Sequence, residues 1–507
     1  MAERARYAAE VSALRVVAEA TGTERDRACS EIERLRQIIR ELQRHRFGRR
    51  SERLDADQLA LLLEDSEQQL AEAESKEETR TPPPVKPRAP RQSNRGRLPA
   101  HLPRIEQLID VTDKHCPCCA GALHVIGEDV SERLDVVPAQ FRVLVTRRPK
   151  YGCRACEGAV VQAPAPGRIV DSGIPTEALV AQVVVSKYAD HLPLYRQAQI
   201  YKREGIDLDR STLAHWVGRA AWWLRPLHER LLDHLRASPR LFADETRAPV
   251  LDPGRGRTKT GQLWAYARDD RPWGGKDPPG VAYVYAPDRT AERPEAHLKG
   301  FRGVLQVDGY AGYRRLAEGG AVTLAFCWSH VRRGFYEIHK AKTSPVAAEA
   351  LARIQALYAV EEPLRGLDPE RRRQVRQDEA KPIIDALKPW LETAHDGLSG
   401  KSALAIAIRY ALARWEGLTR FLDDGRLELD TNTVERSIRP LGLTRKNSLF
   451  AGSDGGADHW AILASLIETA KLNAVDPRAW LADTLAKLAA GHPINRIDEL
   501  LPWAFRR

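Results

Sequence analysis

Three observations predict a multidomain α+β protein. Apolar residues in 1–47 recur at alternating spacings of three and four, which is typical of a coiled coil or of a plain amphipathic helix. Close pairs of cysteines stand among short strand-like runs within 105–165. From residue 239 onward, strand-like runs alternate with helical ones. A chain of 507 residues has room for several folding units of this kind.

Composition narrows the class of protein. The net charge of +10 favours an anionic partner. The longest apolar run, 178–185, is far shorter than the roughly 20 residues that span a bilayer, and the N-terminus has no apolar signal core. Seven cysteines, an odd number, in a chain without a signal core indicate metal binding and not a disulfide framework. We expect a cytoplasmic protein.

The N-terminal region is expected to be helical and basic. A second helix is expected at 57–76, after the interruption at Phe47–Glu52, and Arg49 and Arg50 in that interruption are candidate phosphate contacts. The proline-rich basic stretch Thr81–Arg91 is typical of an extended linker, whose arginines lie either on DNA phosphates or in solvent. The apolar seam of the first helix consists of Val11, Leu14, Ala18, Ile32, Leu35, Ile39 and Leu42.

Two cysteine knuckles predict a structural zinc site. Cys116 and Cys119 form one pair, and Cys153 and Cys156 form the other after 33 intervening residues. Four thiolates from two tight turns bind one zinc tetrahedrally and leave no open position for catalysis. Cys118 is a possible replacement for Cys116 or Cys119, and buried or redox-active thiols are the alternative reading. Strands are expected in the intervening segment at Val136, Phe141, Val143 and Val145.

A helix-turn-helix pattern follows. A helix is expected at Pro193–Arg203, then a turn at Gly205, then a helix capped by Ser211 and carrying Leu213, Trp216 and Val217. Two short helices around a glycine also occur in helical domains that do not read DNA.

Residues 239–342 carry the pattern of a catalytic core. Strand-like runs at 241–244, 262–268 and 281–285 precede a short helix, a strand at 303–308, a helix at 310–318 and a strand at 321–326. This order is that of a ribonuclease-H-like domain, in which Asp244 and Asp308 would follow neighbouring strands. Like charges this close stay ionised only beside cations, and carboxylate oxygens suit Mg²⁺ or Mn²⁺. Alternatively, each acid is an ordinary loop aspartate.

Glu435 is the candidate for a third carboxylate, on a helix packed against that sheet. Its alternative role is structural, because Asn432 with Glu435 fits a capping box. The helical stretch before it is expected to be an insertion that contacts DNA or a second subunit, or serves as scaffolding. The expected divisions are a helical or coiled-coil region at 1–77, a linker at 78–104, a zinc-binding domain at 105–170, a helical region with a candidate DNA-binding helix-turn-helix at 171–238, the first part of the core at 239–342, the helical insertion at 343–425, the second part of the core at 426–475 and a helical tail at 476–507.

Over nearly its whole length the chain resembles the transposases of bacterial insertion sequence 66. The resemblance is carried by Phe47–Glu52, the Cys116/Cys119 and Cys153/Cys156 pairs, His191–Arg196, Ala243–Thr246, Val307–Tyr310, Cys327–Arg333, Asn432–Arg439 and Arg445–Asn447. It implies a DDE triad of Asp244, Asp308 and Glu435 that binds two Mg²⁺ or Mn²⁺ ions. It also implies that Cys327-x2-His330 is a recurring feature of related transposases, and we expect His330 to act near the scissile phosphate.

One position departs from the pattern of many DDE enzymes. They carry a basic residue seven positions after the glutamate, where this chain has Gly442. Arg439, Arg445 and Lys446 are the candidates for holding phosphate instead.

The expected function is that of a transposase that binds the terminal inverted repeats of its element and performs two-metal cleavage and strand transfer. The alternatives are a structure-selective metal-dependent nuclease and a catalytically inactive DNA-binding regulator. The expected partners are double-stranded DNA, at element ends and target, and further copies of the chain on DNA. The resemblance implies that other small proteins of the element can assist.

Overall fold

A computed structural model describes residues 141–152, 160–170, 174–252, 257–341 and 344–505. The chain divides into two compact units, Met1–Arg147 and Arg148–Arg507, and nearly all described residues belong to the second. The predicted coiled coil, the linker, Arg49, Arg50 and the four predicted zinc ligands (Cys116, Cys119, Cys153 and Cys156) lie outside the described residues. No described helix is long and apolar enough to cross a membrane.

Two short strands, β1 (Lys150–Gly152) and β2 (Val160–Gln162), pair antiparallel on either side of the second cysteine pair. The predicted strand through Phe141, Val143 and Val145 is wrong, because residues 141–149 have no regular structure. Val143 and Val145 are 88% and 68% exposed. A β-branched run has no reason to stay extended and paired when its side chains meet no packed surface.

Three helices precede the main sheet: α1 (Glu177–Tyr188), α2 (Leu194–Arg203) and α3 (Arg210–Arg236). The predicted cap of α3 is wrong by two residues. The Asp209 carboxylate accepts the backbone N–H of Ser211 at 2.7 Å, so Asp209 is the N-cap and Ser211 lies in the first turn. Leu213 and Trp216 are buried, so this face of α3 belongs to the core.

The main sheet has five strands. They are β3 (Arg240–Asp252), β4 (Arg257–Arg268), β5 (Gly280–Ala286), β6 (Gly303–Val307) and β7 (Val322–Phe326), with α4 (Glu292–His297) before β6 and α5 (Arg314–Glu318) before β7. The spatial order is β5-β4-β3-β6-β7; the first three strands are antiparallel, whereas β6 and β7 run parallel to β3. The predicted succession of three strands, helix, strand, helix and strand is confirmed.

The first strand is longer than predicted. We expected it to end on Asp244. Instead, β3 pairs with β4 from Phe242 to Asp252, so the strand ends eight residues later than predicted. The parallel pairing of β3 with β6 covers only Arg240–Phe242. Asp244 therefore lies inside β3, beyond the point where β6 stops supporting it.

Helices occupy most of the chain after β7. They are α6 (Trp328–Ala341), α7 (Pro345–Glu361), α8 (Pro369–Val375), α9 (Lys381–Asp396), α10 (Ala403–Leu412) and α11 (Trp415–Thr419), with a π-helical turn at Arg376–Ala380. Trp328, Phe335, Ile354 and Leu387 are buried in their shared core. The apolar faces of these helices therefore pack against one another.

The last three helices return to the sheet. They are α12 (Asn432–Ser448), α13 (Asp454–Leu472) and α14 (Pro477–Ala489). The α13 hydroxyls of Ser465 and Thr469 accept the N–H groups of Tyr283 and Val281 at 2.7 and 3.1 Å. These bonds satisfy edge groups of β5, so α13 covers that edge of the sheet.

Candidate active site

Asp244 and Asp308 are level with each other at the point where β3 and β6 separate. The parallel pairing of β3 with β6 ends at Phe242 and Gln306. Each acid lies two residues beyond the last residue of its strand that takes part in this pairing. Burial raises the pKa of Asp244 to about 7, and the negative charges of Glu245, Asp308 and Glu435 contribute. The negative charges of both other predicted acids therefore act on Asp244, and such a concentration of negative charge favours a bound cation.

The turn that carries Asp308 is held from the helical segment. The Asp308 carboxylate accepts the N–H of Tyr310 at 2.8 Å. The Tyr410 hydroxyl donates to the Asp308 carbonyl, and Arg414 Nη2 donates to the Gly309 carbonyl at 3.1 Å. Gly309 has a φ of +103°, and a Cβ there would lie 2.5 Å from Arg414 Nε. This close approach requires glycine.

Glu435 lies in the first turn of α12, but the capping-box alternative is not what the structure contains. Thr431 is the N-cap, and Asn432 is already helical. The N–H and side-chain amide of Asn432 donate to Asp430 at 3.1 and 2.6 Å. The Thr431 hydroxyl instead donates to Glu435 Oε1 at 3.1 Å.

The segment leading into α12 is pinned to two strands of the sheet. Gln306 in β6 donates to the Glu428 carbonyl at 2.8 Å and accepts the Glu428 N–H at 3.1 Å. Just after β7, Trp328 N–H donates to the Leu429 carbonyl at 3.1 Å. Gln306 is two residues before Asp308, so one strand fixes both Asp308 and the approach to Glu435.

Two buried arginines fasten the same segment to the helical region. Arg376 forms a bidentate pair with Glu361, in which Nε donates to Oε1 at 2.6 Å and Nη2 donates to Oε2 at 2.8 Å. Its Nη2 also donates to the Leu427 carbonyl at 2.9 Å. Arg372 donates to Glu428 at 2.9 Å. Both guanidinium side chains are essentially unexposed. Part of the predicted insertion therefore serves as scaffolding for the entry to α12.

Cys327, His330 and Glu435 form a small cluster whose ligand atoms lie within 4.8 Å of one another. Cys327 is 1% exposed, and burial raises the pKa of its thiol to about 12, so it is a neutral thiol and not a thiolate. His330 Nδ1 is 3.7 Å from Glu435 Oε1, slightly beyond hydrogen-bond range. Among the described residues this buried Nδ1 has no hydrogen-bond partner.

Glu245, which follows Asp244 in β3, received no role in our reading of the sequence. Its side chain is 3% exposed and pairs with Arg289, whose Nε donates at 2.6 Å; the Tyr313 hydroxyl donates at 3.1 Å. The Arg289 guanidinium lies 4.0 Å from the centre of the Tyr310 ring. Glu245 thereby supports the turn after Asp308. Two consecutive acids in a strand that is otherwise buried were the available signal.

The basic residues predicted to contact DNA differ in their surroundings. Arg445 Nη1 donates to Thr246 Oγ1 at 3.1 Å and to the Arg247 carbonyl at 2.6 Å, so it ties α12 to β3 beside Asp244. Arg439 and Lys446 are exposed on α12. The carboxylate oxygens of Asp244, Asp308 and Glu435 are the donors that hard divalent cations such as Mg²⁺ or Mn²⁺ prefer. Of these three acids, Glu435 alone belongs to the group of described ligand atoms that lie within 4.8 Å of one another.

Several families match the chain in succession. Residues 172–459, more than half of the chain, match the family described as "Transposase IS66 family". Residues 113–157, which contain all four predicted zinc ligands, match the "zinc-finger binding domain of transposase IS66". Residues 465–503 match the "IS66 C-terminal element", and residues 34–106 match the "Transposase C of IS166 homeodomain".

Whole-length relatives come from the bacterium Sinorhizobium fredii. Uncharacterized protein y4jD is 50% identical over 436 residues, which cover 83% of this chain and 85% of that protein. Uncharacterized protein y4qI is 47% identical over 518 residues, which cover 100% of this chain and 94% of that protein. Together with the successive family matches, these similarities show that the chain belongs to the IS66 transposase family.

Proposed function

We propose that this transposase binds the terminal inverted repeats of its own element and catalyses cleavage and strand transfer through a DDE site in a ribonuclease-H-like core. The observation that carries the proposal is the field at Asp244, whose pKa is raised by burial and by the charges of Asp308 and Glu435. The three proposed acids come from β3, the turn after β6 and α12, and Glu435 is 127 residues from Asp308 in the chain.

Asp244, Asp308 and Glu435 are the residues that would hold two Mg²⁺ or Mn²⁺ ions. When bound, such a pair of ions activates the attacking oxygen and stabilises the leaving oxygen of a phosphodiester. The chain's own residues fix the geometry. Gln306 fixes the segment that leads into α12 to β6, and Arg445 ties the last turn of α12 to β3.

The proposed chemistry proceeds by two displacements at phosphorus. In the first, a water oxygen bonds to phosphorus at the element end, the P–O3′ bond breaks and a free 3′-hydroxyl remains. In the second, that 3′-oxygen bonds to a phosphorus of the target DNA, and the target's own 3′-oxygen leaves. The number of phosphodiester bonds is conserved in the second step, so joining needs no energy cofactor and no covalent protein–DNA intermediate.

We also propose that Cys116, Cys119, Cys153 and Cys156 bind one structural Zn²⁺. About one tightly held zinc per chain is expected from four thiolates, measured on the purified protein by elemental analysis. A chain without zinc would contradict this assignment. Arg49, Arg50, Arg439 and Lys446 are proposed phosphate contacts, and the protein is proposed to act as a homo-oligomer on DNA in the bacterial cytoplasm, at the nucleoid.

A joining assay tests the proposed function. The purified chain and its Glu435→Gln variant are each incubated with the DNA ends that flank the gene, a target plasmid and Mg²⁺ or Mn²⁺. Joined products from the unaltered chain alone support the proposal, and a chelator is expected to abolish them. Cuts without joins indicate a nuclease. Binding without either reaction indicates a regulator or a transposase that requires another protein of its element. Equal joining by the Glu435→Gln variant contradicts the assignment of the third acid.

A further inference from the structure

Helix α12 ends in an unusual turn. Leu449, its C-cap, has φ 65° and ψ −52°, and the N–H of Phe450 donates to the Ser448 carbonyl at 2.8 Å. These angles and this bond define a γ-turn centred on Leu449, of the positive-φ kind that is rare and strained. For a leucine, the side chain makes this backbone conformation costly.

Burial does not offset this strain. Leu449 is 67% exposed, and Phe450 beside it is 42% exposed. The turn is nevertheless held firmly, because Ala451 N–H donates to the Pro249 carbonyl at 2.9 Å and its own carbonyl accepts the Leu251 N–H at 2.8 Å. Two large apolar side chains are therefore presented to solvent from a backbone that is anchored to β3.

The surroundings of this pair suit a polyanion. Residues 436–450 contain Arg436, Arg439, Arg445 and Lys446 and no acidic residue. At about 100° per residue, Arg439, Gly442 and Lys446 fall within about 40° of the Glu435 direction, so they form one face of α12, and Leu449 follows directly after the helix. Leu251 and Leu443 are also 40% and 37% exposed, but four apolar side chains are still few for a protein interface, which buries roughly 800 Å² on each side.

Gly442 leaves this face open in its middle. A Cβ built at Gly442 would meet nothing within 4 Å, so packing inside the protein does not require a glycine there. A glycine inside a helix is destabilising relative to alanine. A glycine that packing does not need, on a basic face that begins at Glu435, permits the close approach of a ligand's backbone.

We propose that Leu449 and Phe450 form an apolar wedge that enters the base stack of DNA lying along α12. The inference rests on the proposed function, since it needs DNA at Glu435. Leucine and phenylalanine are among the residues that DNA-bending proteins insert between base steps. Fourteen residues of helix separate Glu435 from Leu449, a rise of about 21 Å. At about 3.4 Å per base pair, the wedge meets the duplex roughly six base pairs from the cleaved phosphate.

Fluorescence of 2-aminopurine tests the wedge, because this adenine analogue brightens when it is unstacked. The full chain is mixed with duplexes of the element end that carry one 2-aminopurine at successive positions on both sides of the cleaved phosphate. We expect one or two bright positions, roughly six base pairs from that phosphate. Leu449→Gly and Phe450→Ala are expected to abolish the brightening and to weaken binding on the order of tenfold.

Two controls separate the wedge from a loss of folding. Leu449→Gly accommodates the positive φ, so its melting temperature is expected to stay the same or rise while the brightening is lost. Ile494→Ala removes an exposed apolar residue, 65% exposed, from another element and is expected to leave the brightening unchanged. A chain that binds and cuts the ends without any bright position overturns the wedge but leaves the proposed function standing.

The remaining outcomes are also decisive. Variants that keep the brightening overturn the wedge. If the variants instead lower the oligomeric state in sedimentation without DNA, the patch is an interface between copies of the chain, and the wedge is overturned. A chain that fails to bind the ends at all contradicts the proposed function, and the wedge with it.

Discussion

The thiol of Cys327 accepts a hydrogen bond from the backbone N–H of Thr431 at 3.3 Å, which joins the end of β7 to the N-cap of the helix that carries Glu435. Both residues are 1% exposed, so no water can replace the thiol. A buried N–H without an acceptor costs about 1–3 kcal/mol. The bond therefore holds the start of α12, and through it the Glu435 carboxylate, at a fixed distance from the sheet.

We expect Cys327→Val to lower the free energy of unfolding by about 1–3 kcal/mol, because valine fills the space but leaves the Thr431 N–H without an acceptor. The matched variant Cys327→Ser keeps an acceptor atom and should lie closer to the unaltered chain. Denaturant unfolding measures the stability, and the joining assay measures the position of Glu435. A valine variant as stable and active as the serine variant would rule out this role.

His330 is expected to act on Glu435 through Nδ1, which is 3.7 Å from Oε1 and buried. His330→Asn places an amide near the position of Nδ1, whereas His330→Gln places one near Nε2. We expect the asparagine variant to keep more joining activity and to need less Mg²⁺ for half of its maximal rate. The two variants should unfold at similar denaturant concentrations. A better glutamine variant would assign the role to Nε2.

The ion pair of Arg289 with Glu245 is expected to stabilise the turn after Asp308. Arg289→Gln leaves Glu245, 3% exposed, with its negative charge uncompensated. Because Arg289 itself is about half exposed, we expect the smaller loss of about 1–3 kcal/mol and not the full cost of breaking a buried pair.

The double variant Glu245→Gln/Arg289→Gln checks this reading, since it removes both charges. Its stability should exceed that of Arg289→Gln alone, as measured by denaturant unfolding in a double-mutant cycle. Strictly additive losses would mean that the two side chains do not interact.

The local pattern of apolar residues was sufficient to predict the succession of strands along the chain and the strand that precedes Asp308. Its strand, Val304–Val307, is apolar except for Gln306, and Gly309 marks the turn that follows. The extent of β3 was not predictable in this way. Its last eight residues are extended because β4 pairs with them, and that pairing is a tertiary interaction.

The support of the third acid could not be found from the sequence. Gln306 received no role, and Cys327 was singled out only as part of the Cys327-x2-His330 feature; their contacts with Glu428 and Thr431 join positions more than 100 residues apart. Glu245 was missed because successive strand residues face opposite sides, and only the fold shows that the side opposite Asp244 carries Arg289 and Tyr313. The cap of α3 was misassigned because Asp209 and Ser211 are both good capping residues.

The stability of the chain is expected to fall as the pH drops from about 6.5 to about 4, because of His228. This residue is buried in α3, and burial lowers the pKa of its imidazole to about 4. The charges of Arg225 and Arg236 also lower this pKa, whereas the charge of Asp458 raises it, each by less than burial does. In the unfolded chain the pKa returns to about 6.5. The unfolded state therefore takes up the proton first, so the contribution is complete above pH 6.5 and lost as the pH approaches 4.

A shift of this size corresponds to about 3 kcal/mol between the two ends of that range. His228→Gln is the matched variant, because the amide can replace the hydrogen bond of Nε2 with the Tyr283 carbonyl, 2.9 Å long, and does not titrate. Denaturant unfolding at successive pH values should give a shallower slope for this variant between pH 6.5 and 4. His297, whose pKa burial also lowers to about 4, keeps part of the slope in both proteins. Identical slopes for the two proteins would show that His228 is not neutral and buried in the folded chain.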